Sequence, residues 1–317
     1  MELKHPLVSI LMPAYNCENF VKQAIDSIIK QTYVNWELLI SDDASTDKTK
    51  KIIDAYSDTR IKRFHNEINL GYLQTWNKLI QLASGEYITF QDADDYSSLN
   101  RIEKLVNTLN KNQDFGLVGS NCKFITDESL EVSTTNFPLN HEKIFNEIPS
   151  KFHFIGSAIM IRKEVYNQIG GYHLFFDRMG AEDHYWIYLI LEKYKMVNLS
   201  DSLYYYRFNE NSVSGNIANN PSKLNVPIIL EHLIKQRRTS GMDDLQKGNH
   251  AAVQAVLAVL NKPFILDRSY YFYYVAKRRY YEGHKKLAMR ILWKAIKISP
   301  FRLKYYKDYF YFLRNKL

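Results

Sequence analysis

The chain has 317 residues, 46% of them hydrophobic, enough for one large domain or two ordinary ones, which excludes a disordered polypeptide. Its two cysteines, Cys17 and Cys122, lie far apart, so a disulfide framework and a cysteine metal site are excluded; both read as small buried hydrophobes in a reducing compartment. The net charge of +8 is uneven: residues 262–317 carry fifteen Lys and Arg against three Asp and Glu, so the part before them is net acidic. No apolar leader opens the sequence, and the most apolar run, Ala251 to Leu260, is broken by Gln254 and too short to cross a bilayer. A cytoplasmic protein is expected.

Leu7 to Met12 reads as a buried strand that should end at Pro13-Ala14-Tyr15-Asn16. Glu18 to Lys30 places Phe20, Val21, Ala24, Ile25, Ile28 and Ile29 at helical spacing. Trp36 to Ile40 is a second strand, followed by Ser41-Asp42-Asp43-Ala44-Ser45-Thr46-Asp47; Thr46 or Asp47 can cap a helix to about Tyr56. Ile61 to Phe64, Tyr87 to Phe90 and Phe115 to Val118 read as further strands, with helices at Tyr72 to Ala83 and Leu99 to Asn110 between them. This alternation predicts an α/β fold with a mostly parallel sheet flanked by helices. Beyond residue 150, Phe154 to Ile161 and Ser202 to Phe208 are strand-like. A short helix should end at Gly170-Gly171-Tyr172, and another should open at Glu182-Asp183 and run to about Lys193.

Strand four runs into Gln91-Asp92-Ala93-Asp94-Asp95, three carboxylates within four residues. Such crowding repels itself unless a cation lies between the acids, and Mg2+ or Mn2+ commonly bridges one or two carboxylates to substrate phosphates. The plainer reading is an acidic turn that caps the next helix. In doubly wound sheets ligands bind beyond the carboxyl ends of the strands. Here the ends of strands one, two and four carry Pro13 to Asn16, Asp42-Asp43 and Asp92 to Asp95, which favours one shared site. No glycine-rich phosphate loop follows strand one, so dinucleotide oxidoreductases and P-loop enzymes are disfavoured.

The ordered set Val8 to Asn16, Asp42 to Asp47, Gly85 to Asp95, Gly170-Gly171-Tyr172, Glu182-Asp183 and Tyr206-Arg207 resembles the inverting family-2 glycosyltransferases, which have the GT-A fold. The resemblance covers about residues 5 to 215 and implies a catalytic domain over 1–215. It implies that Pro13, Tyr15 and Asn16 line a nucleotide pocket, that Asp42 or Asp43 bonds the base or ribose, and that Asp94 sits near ribose and metal. It makes Asp95 the direct ligand of Mn2+ or Mg2+ and Asp183 the general base, with Glu182 beside it. The family often has a His after Tyr-Arg; here Asn209 stands in that region, followed by Ser212 and Ser214. The donor would be a nucleotide sugar, a UDP-sugar by preference. The acceptor would be a hydroxyl of a glycan or lipid-linked acceptor in bacterial surface-glycan synthesis. A nucleotidyltransferase and a non-catalytic scaffold that binds sugar nucleotides are the alternatives.

Residues 216–317 read as helices. Leu287, Ala288, Ile291, Leu292, Ala295 and Ile296 form an apolar stripe, with Lys286, Arg290, Lys294 and Lys297 on the remaining surface. Tyr280 to His284 and Ile298-Ser299-Pro300 around it resemble one tetratricopeptide-type hairpin. Two readings stand for this region: a helical lid with a solvated basic face, and a peripheral contact with anionic membrane. Nucleic acid is not an expected partner, since no recognised motif accompanies the charge. Tyr270-Tyr271-Phe272-Tyr273-Tyr274 is expected in a core or interface.

Overall fold

The structure is a computed structural model that describes residues 5–207, 220–281 and 283–315. The chain divides into two compact units, Met1–Asn209 and Glu210–Leu317. The first opens with β1 (Val8–Ala14), α1 (Val21–Ile29), β2 (Trp36–Asp42), α2 (Thr49–Asp54), β3 (Ile61–His65), α3 (Tyr72–Leu82) and β4 (Tyr87–Phe90). These strands pair in parallel in the order β3-β2-β1-β4. β1 lies in the middle, between β2 and β4, which explains its apolar run, interrupted only by Ser9, whose hydroxyl donates to Glu37. β3 is the edge, and its solvent-facing Lys62 and Arg63 discourage further pairing. After β3 the chain crosses back to place β4 on the other side of β1. This makes a topological switch point between the ends of β1 and β4.

The expectation that β1 stops before Pro13 is corrected: Pro13 pairs with Ser41 and the strand runs to Ala14. Successive residues of a parallel strand bond opposite neighbours. Leu11 O takes Gln91 N and Ala14 O takes Asp43 N, so Pro13 N faces the β4 side, where the ladder has already ended at Phe90. The missing N–H therefore costs no ladder bond.

Next come β5 (Tyr96–Ser97), α4 (Arg101–Lys111), β6 (Phe115–Ile125), β7 (Glu131–Thr134), α5 (His141–Glu147), β8 (Met160–Arg162), α6 (Lys163–Ile169), α7 (Glu182–Leu191) and β9 (Lys195–Arg207). The full order is β3-β2-β1-β4-β8-β6-β9-β5, with β7 on β6. β8 is antiparallel to β4 and β6, β5 to β9, and β7 to β6, whereas β6 and β9 are parallel. The sheet is thus parallel only over its first four strands and mixed beyond them, and not mostly parallel as expected. Of the expected strand Phe154 to Ile161 only Met160 and Ile161 are strand, in the short β8, and Gly156–Ala158 before them form a 3-10 turn.

The second unit is helical as expected: α8 (Ser222–Ser240), α9 (His250–Leu266), α10 (Arg268–Tyr281), α11 (Lys285–Ile298) and α12 (Leu303–Arg314). α8 ends at Gly241, whose φ of +78° suits glycine, and the α10–α11 turn passes through Gly283 at +90°. Of the aromatic run, Tyr271, Phe272 and Tyr273 join a core with Val275, Ala288, Leu292 and Phe312, while Tyr270 and Tyr274 reach the surface. The stripe Ala288, Ile291, Leu292, Ala295 and Ile296 of α11 is buried, and Lys286, Arg290, Lys294 and Lys297 are exposed, as the helical period requires.

Candidate active site

The loops that follow β1 and β2 are bonded to each other. Asn16 N donates to Ser45 Oγ at 3.0 Å, and Thr46 N donates to Asn16 Oδ1 at 2.8 Å. Cys17 N donates to Thr49 Oγ1 at 2.8 Å and Glu18 N to Asp47 Oδ2 at 3.0 Å. Asn16 (φ +47°) and Ala44 (φ +59°) are both left-handed. Ala has no side chain to ease that conformation, so the strain is held by the surrounding bonds, a feature concentrated at functional sites. Tyr15 and Asn16 are exposed on this rim.

Asp42 and Asp43, both buried, have different surroundings. The oxygens of Asp43 accept from Asn66 Nδ2 (2.8 Å), Leu70 N (2.9 Å) and Gly71 N (2.8 Å), so this carboxylate clamps the loop that opens α3. Asp42 Oδ2 accepts from Ser45 N at 3.3 Å, and its Oδ1 is buried without a hydrogen-bond partner.

The acid turn at the end of β4 closes on itself, with Asp95 N donating to Asp92 O at 3.2 Å. Asp92 and Asp94 are half-buried, whereas Asp95 is buried. Asp95 Oδ1 accepts Arg207 N at 2.6 Å, and Arg207 Nε donates to Asp94 O at 2.8 Å, so Arg207 of β9 holds the turn. Asp95 Oδ2 is buried without a hydrogen-bond partner, and the Tyr204 hydroxyl is close enough to the Asp95 carboxyl to act on it. Burial pushes the Asp92 carboxyl up to about 7, helped by Asp94 and Asp183. Burial raises Asp94 as well, and burial with repulsion from Asp94 and Asp92 raises Asp95 far above the carboxylate range.

Beneath the turn lies Arg101, fully buried. It donates to Ser97 Oγ (2.9 Å), Thr89 Oγ1 (2.9 Å), Phe90 O (3.0 Å) and Ser157 O (2.6 Å). These acceptors are neutral, so its charge acts on Asp92 and Asp95 through space. Arg101 also ties the acid turn to the Gly156–Ala158 turn.

That second turn faces Asp183. A Cβ on Gly156 would lie 2.5 Å from Asp183 Oδ2. Asp183 stands in the first turn of α7, behind Gly180 (φ +83°) and Ala181 (φ +66°). Its Oδ1 accepts His184 N at 2.8 Å, and burial pushes its carboxyl up to about 6. Asp92, Glu182 and Asp183 all act on the hydroxyls of Tyr72 and Tyr172, which burial and these acids push well above the usual tyrosine range. Tyr172 stacks on Trp76 at 3.9 Å. The Gly170-Gly171-Tyr172 turn is fixed by close approach: Asn77 bonds both Tyr172 N and Tyr172 O at 2.8 Å, and a Cβ on Gly171 would meet Asn77 Oδ1 at 2.5 Å.

The fold therefore brings together Pro13, Tyr15, Asn16 and Asp42 on one side, Asp92, Asp94 and Asp95 in the middle, and Asp183 beyond them. Tyr72, Tyr204, Gly156 and Arg101 lie beside these acids and carry no sequence signature of their own, whereas Tyr172 belongs to the Gly170-Gly171-Tyr172 motif. Asn209, Ser212 and Ser214 lie outside the described residues. Among the described residues, no group of three or more His, Cys, Asp or Glu is placed to hold a metal ion by itself.

Residues 9–170 match the profile of glycosyl transferase family 2. The chain belongs to this family. A curated relative, the UDP-Glc:alpha-D-GlcNAc-diphosphoundecaprenol beta-1,3-glucosyltransferase WfgD of Escherichia coli, is 30% identical over 212 residues, covering 66% of this chain and 80% of its own length. The crystal structure of S. aureus TarS 1-349 in complex with UDP-GlcNAc superposes with a TM-score of 0.59 at 20% identity, over 91% of this chain and 81% of TarS 1-349. The mannosyltransferase PcManGT from Pyrobaculum calidifontis, in complex with GDP-Man and Mn2+, gives 0.55 at 18% identity, over 81% and 71%. At these identities the solved structures establish the fold, and the GT-A expectation is borne out. The chain is a family 2 glycosyltransferase.

Proposed function

We propose that this glycosyltransferase moves a sugar from a UDP-sugar to a hydroxyl of a glycan or lipid-linked acceptor in bacterial surface-glycan synthesis, by a single inverting displacement that depends on Mn2+ or Mg2+. The observation that carries this reading is that Asp92 feels both Asp94 of the donor-side turn and Asp183 of α7, so the two sets of acids share one site. The named activity of WfgD and the bound UDP-GlcNAc of TarS support the donor class, and WfgD's diphosphoundecaprenol-linked acceptor supports the acceptor class. A peripheral position at the inner face of the plasma membrane fits such an acceptor.

The acid turn suits a divalent cation. Burial raises its carboxyls, repulsion from Asp94 adds to this at Asp92 and Asp95, and Asp95 Oδ2 is buried without a hydrogen-bond partner. Asp94, and Asp95 through Oδ2, would hold the ion, with phosphate oxygens and water completing the shell. When bound, the ion offsets the charge that develops on the departing diphosphate. Tyr15 and Asn16 flank the nucleotide beyond Pro13, and Asp42 accepts from base or ribose, because Asp43 is engaged with the 66–71 loop. Asp183 Oδ1 is occupied by His184 N, so Oδ2 takes the acceptor proton. The acceptor oxygen then bonds the anomeric carbon while the bond from that carbon to the diphosphate breaks. A carboxyl raised to about 6 is a stronger base than an ordinary Asp and is still ionised near neutral pH.

The test measures UDP release from a panel of UDP-sugars with a short-chain polyprenyl-diphosphate N-acetylglucosamine acceptor, and the product anomer by NMR. UDP release with an inverted anomer is the expected result. A retained anomer would overturn the single displacement.

A further inference from the structure

The helical unit carries two exposed stripes that the sugar-transfer reaction does not use. α11 exposes Lys286, Arg290, Trp293 and Lys297, and α12 exposes Leu303, Lys307, Phe310 and Arg314. Both sets fall at i, i+4, i+7 and i+11, the period of one helix face. The α11 stripe sets one tryptophan among three cations, the α12 stripe alternates apolar side chains with cations, and neither holds an acid. Trp293 is 44% exposed, Phe310 60% and Leu303 80%, and Phe301 in the connecting turn is 95% exposed. The Trp293 ring meets Tyr309 of α12 at 5.7 Å, so the α11 stripe borders α12. From Lys285 to Asn315 there are nine Lys and Arg and one acid, Asp308, which accepts the Tyr273 hydroxyl at 2.7 Å. Lys285 and Arg302 are engaged within the unit, by the carbonyls of Leu313 and Asn315 and by Asp267. Among the described residues no helix is long and apolar enough to cross a membrane.

We propose that the α11–α12 face docks on an anionic lipid surface, with Trp293, Phe301, Leu303 and Phe310 entering the headgroup boundary while Lys286, Lys297, Lys307 and Arg314 meet lipid phosphates. The charge complementarity selects this occupant: a face with no acid of its own is repelled by cationic partners and attracted to negative headgroups. Its aromatic rings have a use in a bilayer interface that a purely electrostatic contact would not give them. The proposal deepens the lipid-linked acceptor reading, and its test needs no sugar nucleotide.

Of the four tryptophans, Trp36, Trp76 and Trp186 are buried, so Trp293 is a native reporter of this face. The full chain is titrated with vesicles of phosphatidylcholine and phosphatidylglycerol, and separately with phosphatidylcholine alone. The expected result is co-sedimentation with the mixed vesicles and a blue shift of tryptophan emission, both reversed by high salt and both absent with pure phosphatidylcholine. Lys297→Gln and Lys307→Gln should each weaken vesicle binding about fivefold, and Trp293→Phe should bind without the shift. All these side chains are exposed, so each variant should keep the wild-type melting temperature and UDP affinity. Absence of sedimentation with anionic vesicles at low salt overturns the proposal. So does vesicle binding that survives the Lys297→Gln, Lys307→Gln and Phe310→Ser changes together. Sedimentation without a Trp293 shift, displaced by a duplex oligonucleotide, assigns the cations to polyanions in general and also overturns it. Loss of UDP affinity alone would count against the donor-site reading and leave this one standing.

Discussion

Two carboxylates at the site have opposite duties, set by what surrounds them. As the proposed base, Asp183 must be ionised to accept a proton, and burial pushes its carboxyl up to about 6. Turnover should therefore rise as pH climbs through that value and level off above it; a profile flat through that region contradicts the assignment. Asp183→Asn should lower single-turnover transfer by ~100- to 10,000-fold while UDP affinity persists. An acid that served only the helix dipole would instead lose ~0.3–1 kcal/mol of stability with transfer intact. Asp92 carries a different signature. Its folded carboxyl lies near 7, above the ordinary carboxylate range, so the fold favours the protonated form. The stability this gives is present in full below the ordinary range and is lost as pH rises through about 7. Asp92→Asn should thus melt higher than wild type on the alkaline side of that point and match it at acid pH. Scanning fluorimetry across pH checks this, and a variant that melts lower at alkaline pH contradicts it.

The elements show where sequence reasoning succeeds. β1, β2, β4 and their helices were legible because each is a local pattern, either an apolar run or a helical period, closed by a polar cluster. The extent of β6 and β9 was not, because their buried polar residues are satisfied only by distant partners. Asn121 bonds Ser200 O, Thr135 and Phe137 N, and Asn198 bonds Pro138 O and His153 O. The 3-10 turn at Gly156 departs from the expected strand because its shape is set by tertiary contacts, with Arg101 donating to Ser157 O and Asp183 packing on the glycine. The family resemblance singles out Asp183 as the proposed base, whereas Arg101 and Tyr72 become visible only when the sheet places them. Gly156 yields a prediction at this scale. Gly156→Ala puts a methyl 2.5 Å from Asp183 Oδ2, which can swing aside. The melting temperature should stay near wild type while transfer falls at least about tenfold, a loss of ~1.4 kcal/mol in transition-state stabilisation. Equal transfer by wild type and variant would show that the turn does not position the carboxylate.

Across the whole molecule the charge division matches the proposed division of labour. The first unit gathers acids where a cation and a diphosphate would meet, and the second presents cations and aromatic rings on exposed helix faces. The family profile spans residues 9–170, yet the proposed base, Asp183, and the β9 clamp on the acid turn, Arg207, lie beyond it, so they rest on geometry. The central claim is that the acid turn binds a nucleoside diphosphate through a divalent cation. Calorimetric titration of UDP into the full chain, with and without Mn2+, tests it most directly. The account predicts binding that weakens at least about tenfold, ~1.4 kcal/mol, when Mn2+ is withheld, with the same loss in Asp94→Asn. An affinity for UDP unchanged by Mn2+, in wild type and Asp94→Asn alike, would contradict it.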